Sequence, residues 1–248
     1  MVLLLLVAAA FAAGVLNSIA GGGSFLTFPS LVFAGVPPVM ANASSAVALV
    51  PGAAASAFSY REDIGRAEEK QLKIWFFLSL AGGAAGAVLL LNTPDRMFLR
   101  VVPWLLLFAT LLFAFGKQVS AALRGKFRSN QAVLLALLFP ITVYGGYFGG
   151  GMGIMMLAAF GLYGLKDIHA MNGIKAIMGG SLKLVAALIF IGMHRVDWRP
   201  TLFMMAAAIA GGYLGPILAR RMRPAVIRGI VIAAGVLMTI WFFHTAPK

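Results

Sequence analysis

Two lysines, Lys175 and Lys183, fall within the same long apolar run of the sequence, residues 172–192. A charge inside a membrane-length apolar segment is costly, so such a residue is by default a candidate for a functional role. We expect Lys175 to contact an anionic ligand; the alternative is that it snorkels or pairs with a helix end. Lys183 follows on nearly the same helix face, and for it we favour outward snorkelling.

Two glycine triplets, Gly21–Gly23 and Gly149–Gly151, interrupt apolar sequence, and each precedes a short apolar segment. A helix break within lipid frees backbone groups that must be satisfied internally or in a water-lined cavity. Glycine lets a ligand approach the unpaired N–H groups of a helix N-terminus, which favours an anion. Close helix packing is the alternative. We prefer that alternative for "AGGAAG" at 81–86, which has no polar partner and no second copy.

Polar residues near the triplets predict further helix N-termini. Ser24 stands at an expected N-cap position, and Asn42, Ser44, Ser45 and Asn172 are cap signals that would open two long helices. Four helix N-termini, two in each half, would then point at one place. The predicted substrate-binding residues are Asn17, Ser18, Gly21, Gly22, Gly23, Ser24, Asn42, Ser44, Ser45, Gly149, Gly150, Gly151, Met152, Asn172 and Lys175.

The composition identifies the elements that must position these residues. The 248 residues are 61% hydrophobic and 11% charged, whereas a soluble domain has about 25% charged residues. Several runs reach the ~20 apolar residues that cross a bilayer. The predicted fold class is all-α: a polytopic membrane protein with eight full transmembrane helices and two short, broken helices. The ten apolar segments are 2–20, 24–35, 42–60, 71–91, 100–116, 131–148, 152–164, 172–192, 199–218 and 225–243.

The two halves of the chain resemble each other. "NSIAGGGSFLTFP" matches "GGYFGGGMGIMML", and "MANASSAVALVPG" matches "HAMNGIKAIMGGS". Such an internal repeat, with an odd number of segments in each half, predicts an inverted pair: residues 1–123 and 131–248, joined by a linker at 124–130. Inverted repeats with broken helices near the midplane are typical of secondary transporters. The halves should superpose about a two-fold axis in the membrane plane.

The basic residues predict which side of the membrane each loop faces. The net charge is +13, and the loops 117–130 and 219–228 each carry four basic residues and no acid. Basic loops mark the cytoplasmic side, so both termini should be periplasmic. The first segment lacks the positive region of a signal peptide, and we expect it to remain as a transmembrane helix. A solvated basic face accounts for these charges without nucleic-acid binding.

Motifs for other chemistry are missing from the sequence. No HExxH, GxSxG or P-loop occurs, and the chain has no cysteine, so an enzyme or a thiolate metal site is not expected. We predict no cofactor and no metal. Asp167 should cap a helix; His169 should be a solvated loop residue, with proton relay as the alternative.

The paired stretches "NSIAGGGSFLTFPSLVFAGVPPVMANASSAVALVPG" and "GGYFGGGMGIMMLAAFGLYGLKDIHAMNGIKAIMGG" resemble the signatures of the TauE/SafE sulfite exporter family, also called the TSUP or toluene sulfonate uptake permease family. The resemblance covers both halves. It implies transport of sulfite or a small organosulfur anion, such as sulfoacetate, across the bacterial inner membrane. It also implies that the glycine triplets, Asn42, Asn172 and Lys175 are important.

The expected mechanism is secondary transport by rocking of one half against the other. H⁺ is the expected coupling ion, and Lys175 could change its protonation state on desolvation. An uncoupled uniporter or an anion channel is the alternative. The expected partners are the sulfur anion and the lipid bilayer, and a homodimer is left open. Family members differ in substrate and in transport direction, so the resemblance fixes neither.

Overall fold

The computed structural model describes residues 2–19, 21–64, 69–123, 130–165, 167–221 and 224–245, and every regular element in these ranges is a helix. The all-α prediction is therefore confirmed. The helices are α1 Val2–Ile19, α2 Ser24–Phe33, α3 Pro38–Ser59, α4 Arg61–Ile64, α5 Glu69–Leu91, α6 Asp95–Leu123, α7 Gln131–Tyr147, α8 Met152–Tyr163, α9 Ile168–Gly192, α10 Trp198–Arg221 and α11 Pro224–Thr245.

Each of the ten predicted apolar segments corresponds to a helix, and α4 is an additional single turn. Five helical stretches of the described chain are long and apolar enough to span a membrane: Val2–Ile19, Pro38–Ser59, Gln71–Leu91, Ile168–Gly192 and Trp198–Leu218. Shorter apolar stretches include α2 and α8, which lie beside the glycine triplets. The chain is thus a multi-pass membrane protein, while the count of eight full crossings stays a prediction.

The two long helices of the repeat begin earlier than predicted. Helix α3 begins at Pro38, with Pro37 as its N-cap, and a proline in the first helical turn needs no hydrogen-bond partner for its nitrogen. Helix α9 is capped by Asp167, whose side chain accepts from the backbone N–H groups at the helix start, so the prediction for Asp167 is confirmed. The prediction that Asn42 and Asn172 cap these helices is wrong, because both lie one turn or more inside them.

The helices of the two sequence halves interleave. Helix α1 packs along α10, and α5 packs along α7; α3 contacts both α10 and α9, and α9 also contacts α5. Two groups result: α1, α2, α3 and α10 form one, and α5, α7, α8 and α9 form the other. Helices α6 and α11 pack on each other, and α6 touches α8 as α11 touches α2. Exchanging the first half for the second leaves this pattern of contacts unchanged.

Small residues allow the close packing of helices within each of the two groups. A Cβ atom on Gly83 of α5 would lie 2.6 Å from the carbonyl oxygen of Leu182, and one on Gly82 would overlap Thr142. The packing interpretation of "AGGAAG" is therefore confirmed. Between α3 and α10, a Cβ atom on Gly52 would lie 2.5 Å from the oxygen of Ala208.

An aromatic cluster fixes the position of the short helix α2. Phe28 is fully buried, and its ring centroid lies 5.8 Å from those of Phe98 and Phe148 and 5.4 Å from that of Phe242. These rings come from α6, the α7–α8 connection and α11, so α2 is held by elements of both halves. Such contacts are worth about 0.5–1.5 kcal/mol each beyond the area they bury.

Candidate functional site

The first glycine triplet forms a sharp turn between α1 and α2. Gly21 and Gly22 have φ values of 74° and 143°, which side chains rarely tolerate. The Oδ1 atom of Asn17 accepts hydrogen bonds from the backbone N–H groups of Gly22 at 3.1 Å and Gly23 at 2.9 Å. Gly23 is the N-cap of α2, and Ser24 is its first helical residue. The prediction that Ser24 caps α2 is therefore wrong, because Asn17, one turn before the break, supplies the acceptor.

The second triplet is held differently. Gly149 and Gly151 have φ values of 80° and 76°, and the Tyr144 hydroxyl donates to the Gly150 carbonyl at 2.6 Å. No side chain caps α8. Within the described residues, the backbone N–H groups at the start of α8, those of Met152 and Gly153, have no hydrogen-bond acceptor. Asn17 thus takes two N–H groups of the first break, whereas two N–H groups at the start of α8 are left unpaired.

The two breaks lie against each other. A Cβ atom on Gly21 would be 2.5 Å from the Cα atom of Gly153, and one on Gly149 would be 3.3 Å from the Ser24 hydroxyl. The unpaired start of α8 therefore faces the backbone of the first turn. A close backbone approach of this kind requires glycine on the α1–α2 side.

Lys175 is buried beside these breaks, with 3% of its surface exposed. Its Nζ atom donates to Asn172 Oδ1 at 2.7 Å and to the Ser18 carbonyl at 3.2 Å. An ammonium group has three N–H donors, so one remains available. Both partners are neutral, and no carboxylate in the described parts of the chain lies within ion-pair distance of Lys175. A buried charge without a counter-ion is expensive, which favours the presence of an anion.

A small cavity connects these features. It is lined on one side by Asn17 of α1 and Ser56 of α3, and on the other by Met152 and Gly153 of α8 and by Lys175 and Lys183 of α9. Its volume is about 20 Å³, enough for about one water molecule. Asn17 Nδ2 and Ser56 Oγ are buried and have no hydrogen-bond partner among the described residues. Every polar group named here can donate a hydrogen bond.

Sequence reasoning missed the two other polar side chains of this cavity, those of Lys183 and Ser56. Lys183 does not snorkel outward: its side chain is 5% exposed and lines the cavity. Its spacing from Lys175, with Gly179 midway, puts all three on one helix face at i, i+4 and i+8, and this was the available signal. No motif marks Ser56, which the fold alone brings to the cavity.

Several predicted binding residues have other partners in this conformation. Asn42 Nδ2 donates to the Tyr147 carbonyl at 2.8 Å, and the Ser44 hydroxyl accepts from the Asp197 N–H at 2.9 Å. Ser45 and Thr27 share a hydrogen bond of 2.5 Å between their hydroxyls. Of the fifteen predicted residues, those that line the cavity are Asn17, Gly21, Met152 and Lys175. Ser18 and Asn172 are the hydrogen-bond partners of Lys175.

The apolar helices and the buried cavity lined by two lysines describe a membrane protein with an internal polar site. The family model described as "Sulfite exporter TauE/SafE" matches residues 6–242. The chain belongs to the TauE/SafE family of membrane transporters, and it is not an enzyme.

Several curated proteins are similar over nearly their whole length. A "Probable membrane transporter protein" of Haemophilus influenzae is 29% identical over 233 residues, covering 92% of this chain and 89% of the relative. "Probable membrane transporter protein ORF9" of Sinorhizobium sp is 27% identical, covering 94% and 88%. "Probable membrane transporter protein YfcA" of Escherichia coli K12 is 24% identical, covering 93% and 85%. No solved structure matches the chain.

Proposed function

We propose that this protein is a secondary transporter that moves sulfite or a small sulfonate across the bacterial inner membrane through the cavity between α1, α3, α8 and α9. The observation that carries the proposal is Lys175, a buried cation that has only neutral partners. The residues predicted from the sequence to bind the anion remain the proposed site, extended by Ser56.

The chemistry of the cavity favours an oxyanion over other small solutes. Lys175 Nζ, Asn17 Nδ2 and the unpaired N–H groups at the start of α8 are all donors. The N-terminus of a helix carries a partial positive charge that adds to the charge of the lysine. Sulfite and sulfonates present several acceptor oxygens and no donor when ionised, so they match this set. A metal cation would find no carboxylate here.

The size of the cavity implies a change of conformation during transport. A space of about 20 Å³ is close to that of one water molecule, and a sulfur oxyanion is larger. Binding therefore requires that the surrounding helices separate. Met152, a flexible side chain on the cavity wall, can change its conformation before the helices move. Alternating access supplies such a movement, whereas a constantly open channel would not match a cavity of this small volume.

The interleaved packing suggests which bodies move. Helices α5 and α10 each pack with the other half of the sequence, so the halves 1–123 and 131–248 cannot rock as units without parting these contacts. The proposed bodies are instead the α1–α2–α3–α10 group and the α5–α7–α8–α9 group, related by an in-plane two-fold axis. Both termini are proposed to be periplasmic. Of the proposed cytoplasmic loops 117–130 and 219–228, residues 124–129 and 222–223 lie outside the described ranges, and these include all but the last residue of the 124–130 linker.

The proposed coupling ion is H⁺, with Lys175 as the group that exchanges it. An uncoupled uniporter is the second candidate, because the described helices place no carboxylate beside the cavity to carry a proton. A pH gradient imposed at zero membrane potential distinguishes the two: it drives accumulation of the anion only in a coupled transporter.

Initial flux of labelled sulfite or methanesulfonate into proteoliposomes tests the proposal. Wild type should transport at least one of these anions, and Lys175→Ala should lose nearly all flux at a matched amount of protein. Lys73→Ala is the matched control, since Lys73 is an exposed lysine outside the cavity, and it should transport normally. Near-normal flux in Lys175→Ala would overturn the role given to Lys175.

A further inference from the structure

We infer that Lys183 is a second cation of the same site, which makes the site selective for a compact, doubly charged oxyanion over a singly charged one. The inference deepens the proposed function and rests on it. Its basis is the side of the cavity formed by Lys175, Gly179 and Lys183, together with the unpaired Ser56 hydroxyl that lines the same space.

The geometry of α9 places both lysines in the lining of one cavity. The two lysines are two helical turns apart, about 12 Å along the axis at 1.5 Å per residue, and their long side chains can bridge that distance toward each other. Gly179 stands between them and contributes no side chain. A Cβ atom there would lie 3.1 Å from the terminal methyl carbon of Met152, so a side chain at this position would crowd the cavity that both lysines line.

The partners of the two lysines differ. Lys175 is anchored by Asn172 and the Ser18 carbonyl, whereas Lys183 forms no hydrogen bond and no ion pair with any described residue although it is 5% exposed. The Ser56 hydroxyl, 2% exposed, is also unpaired. Buried polar groups are normally satisfied, so two unsatisfied groups on opposite walls of one cavity point to a ligand that supplies oxygen atoms to both.

Charge balance then sets the class of ligand. Two like charges in a low-dielectric space repel each other, and a net charge within the membrane is costly. A monoanion would neutralise only one lysine, whereas a dianion neutralises both and leaves a neutral complex to move between the two sides. Because both lysines line one cavity, the site favours a compact dianion over one with its charges on separate arms.

Binding of two probes of similar shape to the purified full-length protein tests this inference. Sulfate carries two charges and methanesulfonate one, and both are tetrahedral oxyanions. By isothermal titration at constant ionic strength, wild type should bind sulfate about tenfold or more tightly than methanesulfonate, since one additional charge-assisted hydrogen bond contributes about that much. Lys183→Met should remove the preference, because it should weaken sulfate binding by about tenfold more than it weakens methanesulfonate binding. Lys73→Met should behave as wild type.

Two further variants keep the test informative. If Lys183→Met does not fold, Lys183→Gln takes its place in the test. It keeps a polar side chain and should lose the preference for sulfate in the same way. Ser56→Ala removes a neutral donor, so it should weaken both anions equally. Equal binding of both probes by wild type, or an equal loss of both in Lys183→Met, would overturn the inference and leave the proposed function standing. Absence of both binding and flux for every anion would overturn both.

Discussion

Replacing Asn17 by alanine should destabilise the fold through two backbone groups rather than through the lost side chain. Its Oδ1 atom accepts from the N–H groups of Gly22 and Gly23, which lie in a buried stretch. A buried donor left unsatisfied costs about 1–3 kcal/mol, so two cost about 2–6 kcal/mol. The variant also removes Nδ2, itself buried and unpaired among the described residues, which offsets about 1–3 kcal/mol. The expected net loss is about 1–3 kcal/mol.

The assay is equilibrium unfolding in mixed micelles, and Asn130→Ala is the control. Asn130 caps α7 with one bond, Oδ1 accepting from Val133 N–H at 3.2 Å, and it is exposed. Water can replace that bond, so the control should lose about 0.5 kcal/mol, the low end for N-caps. An Asn17→Ala protein that is no less stable than the control would refute the assignment of Asn17 as the acceptor that holds the first break.

A second substitution at the same position separates stability from transport. Asn17→Asp retains an acceptor oxygen for both glycine N–H groups, so unfolding should stay near that of wild type. The new carboxylate would lie in the cavity with Lys175 and Lys183, where it would occupy the place of the anion and repel it. Flux should fall at least tenfold, which corresponds to about 1.4 kcal/mol. Normal flux in this variant would mean that the anion does not enter the cavity.

Three further outcomes are expected. Lys175→Arg should keep less than about a tenth of wild-type flux, because a planar guanidinium is not interchangeable with a compact ammonium in a tight site. Gly21→Ala should unfold more readily than Gly192→Ala by about 1–2 kcal/mol, since only Gly21 has a positive φ and a neighbouring backbone in contact; equal stabilities would contradict this. In an Ala53→Cys/Gly180→Cys double variant, the Cβ atoms would be 3.5 Å apart, within disulfide range. Oxidation should stop flux and reductant restore it, whereas full flux in the oxidised protein would exclude relative movement of α3 and α9.

The helices could be predicted from the sequence because the signals that define each helix are local. Apolar runs of membrane length and glycine breaks can be recognised from consecutive residues. The cap at Asp167 and the packing role of 81–86 were also predicted from residues that are neighbours in the sequence. The caps of α2 and α3 could not be predicted in the same way. At α2 the acceptor is Asn17, from the preceding helix, and at α3 a proline begins the helix before Asn42 is reached.

The partners of each helix could not be predicted, because a face that packs on another helix and a face that contacts lipid are equally apolar. The interleaving of α5 and α10 with the opposite halves therefore has no signature in hydropathy. The burial of Lys183 was missed for the same reason. Snorkelling was a reasonable expectation for a lysine on an isolated helix, but α8 and α3 cover that face of α9.

The difference between the two breaks follows from packing on α7. Gly145 stands where the first repeat has Asn17, and a Cβ atom on Gly145 would overlap the sulfur of Met152. Its neighbour Gly146 packs against the backbone of Gly83 in α5. No capping side chain fits at this position, so the N–H groups at the start of α8 stay unpaired. Of the four helix N-termini expected from the repeat, α8 is the one at which two successive N–H groups, those of Met152 and Gly153, lack an acceptor among the described residues.

The hydrogen bonds across the repeat suggest how binding could be linked to movement. Lys175 of α9 donates to the Ser18 carbonyl at the end of α1, and Asn42 of α3 donates to the Tyr147 carbonyl at the end of α7. Each bond satisfies a carbonyl that a helix end leaves without a partner, and each joins the two proposed moving bodies. An anion that draws the ammonium group away from Ser18 would break one of these ties and leave the other intact. On the proposed mechanism, the contact between the two bodies is therefore weaker when the site is occupied than when it is empty. A ligand shifts a conformational equilibrium only through such a difference, and alternating access requires it.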